Sequence, residues 1–281
     1  MIPDRFDYAA PPTVEEAIGL LSQGGDDAKL LAGGHSLLPL MKLRLAAPTL
    51  LVDLRKVPGL RGIDRDNGSW RIGAMTRHAD LQVRDDLGIV ATAAAGIADQ
   101  QVRNRGTIGG SLVHGDPASD LPTVLVAMEG TVTATGAGGA TRSIAAADLF
   151  QDYLTTSVQA DEVVTDVRLP ALDGWGYGYE KFTRRAEDWA MVGVVALVKK
   201  GPDGSCEDAR VAFTNMASTP VRAAAVERAL RGGGLDDAAL DAAAANAAEG
   251  TDPPADLNAS ADYKRHLARV LTARALRKAA A

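Results

Sequence analysis

The sequence predicts an α+β protein: a long first part in which short strands alternate with capped helices, then an antiparallel sheet, then helices. Three observations carry this. Apolar strand-like runs alternate with helical patterns up to Leu169. Beyond the linker sequence Pro170-Ala171-Leu172-Asp173-Gly174, three strand-like runs follow one another with short connections, as antiparallel pairing allows. After Pro220 the pattern turns helical and rich in alanine. At 281 residues the chain exceeds one typical domain, which fits two or three packed units.

Taken in order, Thr13-Val14-Glu15-Glu16 reads as a capping box, so a helix from about 13 to 22 is expected, ended by Gly24-Gly25. Lys29 to Ala32, Thr49 to Leu54 and Trp70 to Ala74 read as short strands. Thr76 can cap a helix running through His78-Ala79-Asp80-Leu81, and Leu87 to Ile97 is alanine-rich and helical in pattern. Pro117 and Pro122 predict irregular backbone until a helix begins near Asp120, presenting Leu121, Val124, Leu125 and Met128 and stopping at Gly130. Thr131 to Thr135 and Glu162 to Leu169 complete this part as strands, with Gly136 to Gly139 as a hairpin tip. Gly174-Trp175-Gly176-Tyr177-Gly178 reads as a flexible lead-in to the later strands, Tyr177 to Thr183, Met191 to Lys200 and Ala209 to Asn215. The last two are joined by the turn Gly201-Pro202-Asp203-Gly204, and a basic helix closes the chain from Tyr263 to Lys278.

Composition narrows the function. Hydrophobic residues at 46% and charged residues at 23% describe an ordinary globular protein. No apolar run is long enough for a transmembrane segment, and MIPDRFDYAA lacks the pattern of a signal peptide, so a cytoplasmic location is expected. A net charge of −6 opposes a polyanion and excludes nucleic acid as the expected partner. The single cysteine, Cys206, cannot make an internal disulfide or hold an iron-sulfur cluster alone. His78, His114 and His266 show no metal-type spacing, so no metal site is expected. Redox work by this chain would need an organic cofactor.

Two glycine turns stand out. Ala32-Gly33-Gly34-His35-Ser36 follows a strand and precedes Leu37; Thr107-Ile108-Gly109-Gly110-Ser111 offers glycines and hydroxyls again. Backbone without Cβ lets a ligand reach the amides, and successive free N–H groups make a concave anion site. A helix starting there adds partial positive charge. Each turn alone reads equally as punctuation, and neither G-x-G-x-x-G after a strand nor a P-loop is present. As a pair they predict a diphosphate held between two loops.

The ordered set of motifs resembles the FAD-binding medium subunit of the molybdenum hydroxylases, the xanthine dehydrogenase family, and within it the carbon monoxide dehydrogenase type. It consists of Ala32 to Ser36 with Leu37 to Leu45, Ile97 to Arg103 leading to Thr107 to Ser111, and Gly115-Asp116-Pro117 with Asp120. It continues with Tyr179-Glu180-Lys181, Glu187-Asp188-Trp189-Ala190 and Thr214 to Pro220. The resemblance implies two α/β FAD-binding subdomains of the vanillyl-alcohol-oxidase/PCMH type, at 1–56 and 57–173. A C-terminal unit at 174–281 follows, built of a three-stranded antiparallel sheet with helices.

By that resemblance FAD is bound non-covalently. Leu31, Ala32, Gly33, Gly34, His35, Ser36 and Leu37, with Thr107, Ile108, Gly109, Gly110 and Ser111, surround its pyrophosphate and ribityl region. Asp120 matches a FAD-contacting carboxylate, Lys181 falls near the flavin ring and Trp189 beside it. Read from the residues alone, Asp120 equally caps the helix before Leu121, Trp189 equally belongs to a core, and Arg103 and Arg105 steady phosphate or face a partner. Ser111 stands where several members have asparagine, and Trp189 where close members have tyrosine. The resemblance also implies partners: a large subunit with the molybdenum cofactor and a small one with [2Fe–2S] clusters, as a dimer of heterotrimers passing electrons to a quinone or other acceptor. That complex would lie in the cytoplasm or at the inner face of the membrane. Three rivals stand beside this reading: the same subunit serving an N-heterocycle, aldehyde or xanthine hydroxylase, a free-standing flavin oxidase, and a non-catalytic nucleotide-binding protein.

Overall fold

A computed structural model describes residues 2–281. The chain begins with β1 (Asp7–Ala9), α1 (Val14–Gly24), β2 (Ala28–Leu31), α2 (Leu37–Lys42) and β3 (Leu50–Asp53). The three strands form a parallel sheet in the order β1-β3-β2. Helix α1 starts as its sequence demands: the Thr13 hydroxyl accepts from the Glu16 amide at 3.1 Å, and the Gly25 amide closes the helix on the Leu21 carbonyl.

The next part comprises β4 (Ile63–Asp66), β5 (Ser69–Gly73), α3 (His78–Gln82), α4 (Ile89–Ala95), α5 (Gln100–Arg103), α6 (Ile108–His114) and α7 (Asp120–Ala127). It continues through β6 (Thr131–Thr135), β7 (Thr141–Ala145), α8 (Ala146–Leu149), β8 (Phe150–Asp152), β9 (Thr155–Thr156) and β10 (Val163–Pro170). Its five-stranded sheet runs β4-β5-β10-β6-β7, antiparallel at every pairing. The late strand β10 thus inserts at the centre. Helix α7 is buried all round, with Leu121, Val124 and Leu125 in the core. Thr76 does not cap α3; its hydroxyl donates to the Gly62 carbonyl, and Arg77 holds the cap position before His78.

The last part holds β11 (Trp175–Phe182), β12 (Val192–Lys200), β13 (Cys206–Thr214), β14 (Val221–Arg222), α9 (Ala224–Leu230), α10 (Asp237–Ala244) and α11 (Ala261–Ala279). The three expected strands pair antiparallel, and the two-residue β14 adds a fourth at the edge. Strand β12 is buried on both faces because its alternate side chains serve two cores. Val195 and Leu197 pack with the middle part, while Val194, Ala196 and Val198 pack under the C-terminal helices.

Gly176 and Gly178 are not a flexible lead-in. A Cβ on either would run into the backbone of α11, at the Ala279 and Ala275 carbonyls, so they seat that helix against β11. The side chains of Tyr177, Tyr179 and Lys181 alternate with these glycines and face the other way. Docking β11 on the middle part therefore delivers Lys181 to the site.

Candidate functional site

The two glycine turns meet. Gly33 lies against the backbone of the segment before α6: a Cβ there would stand 2.8 Å from the Gly106 Cα and collide with the Arg105 carbonyl. Beside this contact opens a cleft of about 860 Å³, within the roughly 300–1,000 Å³ of cofactor pockets. Every expected site residue lines it except one: Leu31 to Leu37, Thr107, Gly109, Gly110, Ser111, Asp120, Lys181 and Trp189 are on the wall. Ile108 is not, because its side chain is buried in the core beneath α6.

The turns are not equivalent, contrary to the matching equipment their sequences suggest. Among the described residues, the amides of Gly33, Gly34, His35 and Ser36 make no hydrogen bond to backbone or side chain. Gly34 sits at φ +80, where an L side chain is strained, and this bends the turn. The second turn has spent its amides: Ile108 donates to Thr76, Gly109 to Ala74, Ser111 to the Thr107 carbonyl, and Gly110 to the Thr107 hydroxyl at 3.2 Å. Gly109 is bare because the Ala74 backbone presses on it. What the second turn presents to the cleft is Thr107 and Ser111 with two glycines between them. Helices α2 and α6 have only six and seven residues, so the open amides of the first turn matter more than any helix dipole.

Asp120 and Lys181, which also line the cleft, form a nearly buried ion pair, Lys181 Nζ to Asp120 Oδ2 at 2.9 Å. The same ammonium donates to the Gly96 carbonyl at 3.0 Å, beyond α4. The Tyr179 hydroxyl donates to Asp120 Oδ1. Burial pushes the Asp120 carboxyl up from its ordinary range, opposed by the Lys181 charge and the Tyr179 hydroxyl. Burial beside that carboxylate holds the Tyr179 phenol far above its usual range, so it stays a donor. Asp120 does not cap α7; Ser119 holds the cap position and Asp120 is the first helical residue, facing the cleft.

Comparison with known proteins shows the family to which the chain belongs. Residues 4–172 match the FAD binding domain in molybdopterin dehydrogenase, and residues 177–279 the CO dehydrogenase flavoprotein C-terminal domain. The chain belongs to this FAD-binding molybdopterin dehydrogenase family. It is 43% identical to the carbon monoxide dehydrogenase medium chain of Hydrogenophaga pseudoflava, covering 99% of this chain and 98% of that one. It is 40% identical to the 6-hydroxypseudooxynicotine dehydrogenase complex subunit alpha of Paenarthrobacter nicotinovorans, over 99% and 96%. A solved structure of the Hydrogenophaga pseudoflava carbon monoxide dehydrogenase superposes with a TM-score of 0.95 at 44% identity, covering 99% and 98%.

The molybdopterin dehydrogenase family's cofactor fits what the chain offers. A dinucleotide needs amide donors for its diphosphate, and four unpaired amides face a cleft of sufficient volume. The family's flavoprotein subunits are oxidoreductases, and this chain is one of them. Trp189 is 58% exposed on the loop between β11 and β12, which excludes a core role and leaves its face on the cleft rim. His35 is exposed at the turn; partial burial and the nearby Arg105 charge lower its pKa. The Arg103 guanidinium donates to the Ile97 and Ala98 carbonyls and holds that loop, in which Ala98 has φ +40. Sequence reasoning missed Tyr179 as a site residue, though it lay in a quoted motif. It also missed His78, a cleft residue 5% exposed with an unpartnered Nδ1 and a pKa lowered to about 4, chiefly by burial.

Proposed function

We propose that this chain is the FAD subunit of a carbon monoxide dehydrogenase-type complex, taking electrons from the [2Fe–2S] clusters of a small subunit and passing them to a quinone or another acceptor. In this reading the large subunit oxidises substrate at the molybdenum cofactor, two copies of each subunit assemble, and the complex works in the cytoplasm or at the inner face of the membrane. FAD supplies the step between one-electron carriers and the acceptor. The observation that carries the reading is the cleft: open amides and the Asp120–Lys181 pair line one cavity, in a chain with a single buried cysteine.

Each residue then has a role. Gly33, Gly34, His35 and Ser36 offer amides to the pyrophosphate, and Leu31, Ala32 and Leu37 shape the turn around them. Thr107, Gly109, Gly110 and Ser111 form the wall beside that turn, with Ile108 anchoring it from the core. Asp120 accepts from a cofactor hydroxyl, Lys181 sets positive charge near the flavin ring, and Trp189 covers the ring. The division of the chain at 56 and 173 belongs to the same reading, with the cofactor between the first two parts.

The test is the cofactor and subunit content of the native complex. One FAD per copy of this chain, two partner chains carrying molybdenum and iron, and a flavin that bleaches with carbon monoxide support the reading. A complex without flavin overturns it. The similarity to the 6-hydroxypseudooxynicotine dehydrogenase subunit favours a second reading, in which the large subunit hydroxylates an N-heterocycle. Bleaching by such a substrate and not by carbon monoxide selects it.

A further inference from the structure

The Lys181 ammonium has three donors. Two are spent inside the protein, on Gly96 and on Asp120, which leaves one N–H without a protein partner on a residue that lines the cleft. Two fixed bonds set the direction of the remaining one. Asp120 is itself held, with Oδ2 on Lys181 and Oδ1 on the Tyr179 hydroxyl. Tyr179 does not line the cleft; its ring packs against Gly96 and the middle core. It stands two residues from Lys181 on the same face of β11, so one strand carries both the ammonium and the group that fixes its anchor.

We propose that Tyr179 is a positioning residue: by holding the Asp120 carboxylate it aims the free N–H of Lys181 into the cleft, toward the cofactor. The proposal rests on the FAD reading above. Removing the hydroxyl while keeping the ring leaves Asp120 free to rotate and Lys181 to follow it. The other charged group acting on Asp120 is Asp116, which disfavours its ionised form and makes the two donors the more necessary.

The experiment is the flavin midpoint potential, and its dependence on pH, in the native complex carrying Tyr179→Phe, Lys181→Met or both. Tyr179→Phe shifts the potential in the direction of Lys181→Met, equivalent to roughly a three- to tenfold change in the relative affinity for oxidised and reduced flavin. The double variant matches Lys181→Met alone, because Tyr179 acts through Lys181. If Tyr179→Phe does not assemble, Tyr179→Met, which fills the same space without a donor and leaves Asp120 and Lys181 in place, carries the same expectation. A potential unmoved by Tyr179→Phe, or effects that simply add, overturns the proposal, even if the melting temperature falls as lost packing alone would make it. A wild-type complex that holds no flavin defeats the FAD reading instead.

Discussion

Gly33 and Gly106 touch backbone to backbone, so that a Cβ on Gly33 would stand 2.8 Å from the Gly106 Cα. Real Cβ atoms do not approach so closely, and the neighbouring Arg105 carbonyl leaves no side chain to yield. The bare position at 33 therefore joins the two turns, besides leaving room for a ligand.

Gly33→Ala, the smallest change possible, should push the turns apart. Overpacking against backbone costs about 1–3 kcal/mol, so FAD affinity should fall roughly tenfold. Flavin content of the purified complex measures this. A fully flavinated Gly33→Ala complex would show that the turns can separate without loss.

In the C-terminal part, Gly178→Ala should destabilise by more than about 2 kcal/mol, because the new methyl enters the Ala275 carbonyl of a packed helix. Gly19→Ala, mid-helix with nothing within 4 Å, should stabilise by about 0.5–1 kcal/mol. Urea unfolding of both variants beside wild type separates a packing glycine from a replaceable one.

Trp189→Ala should leave the melting temperature within about 1–2 °C, since an exposed side chain contributes little to stability. Flavin fluorescence should rise as the aromatic cover is lost, and the rate of reduction of a soluble acceptor should change severalfold. A fall in stability with unchanged flavin behaviour would assign Trp189 to packing.

His78 gives a pH dependence. Folded, its imidazole stays neutral down to about 4; unfolded, it takes up a proton below 6.5. The stability due to the neutral form is fully present above 6.5 and is lost as pH falls toward about 4. The loss is worth about 3 kcal/mol. His35 and Arg103, the charges acting on it, oppose protonation too. Replacing His78 with glutamine removes this term, so the stability gap between wild type and His78→Gln should narrow by that amount between neutral pH and 4. A constant gap in chemical denaturation would show that His78 is not buried as described.

Much of the architecture was legible from local signals. The Thr13 cap, the glycines closing α1, the helix from Asp120 and the strands from Tyr177 onward follow from chemistry acting over a few residues. The short edge strands β1, β4, β7 and β14 were not legible, because they are too brief and too exposed to carry an alternating pattern and exist through their partners. The carbonyl partners of Arg103 were not legible either, because a positive charge near a glycine turn reads the same whether it meets a phosphate, a partner or a carbonyl.

The sequence by itself determined the order of elements, the two bare turns and, through its ordered motifs, the family to which the chain belongs. These are fixed by residue type and spacing along the chain. Only the tertiary structure decided which amides stay open, since Ile108 and Gly109 find partners in Thr76 and Ala74 some thirty residues earlier, while Gly33 to Ser36 find none. It also decided that Tyr179 reaches Asp120 across 59 residues of chain. A donor's partner is set by distance in space, and a sequence records a donor's presence but not what stands 3 Å away.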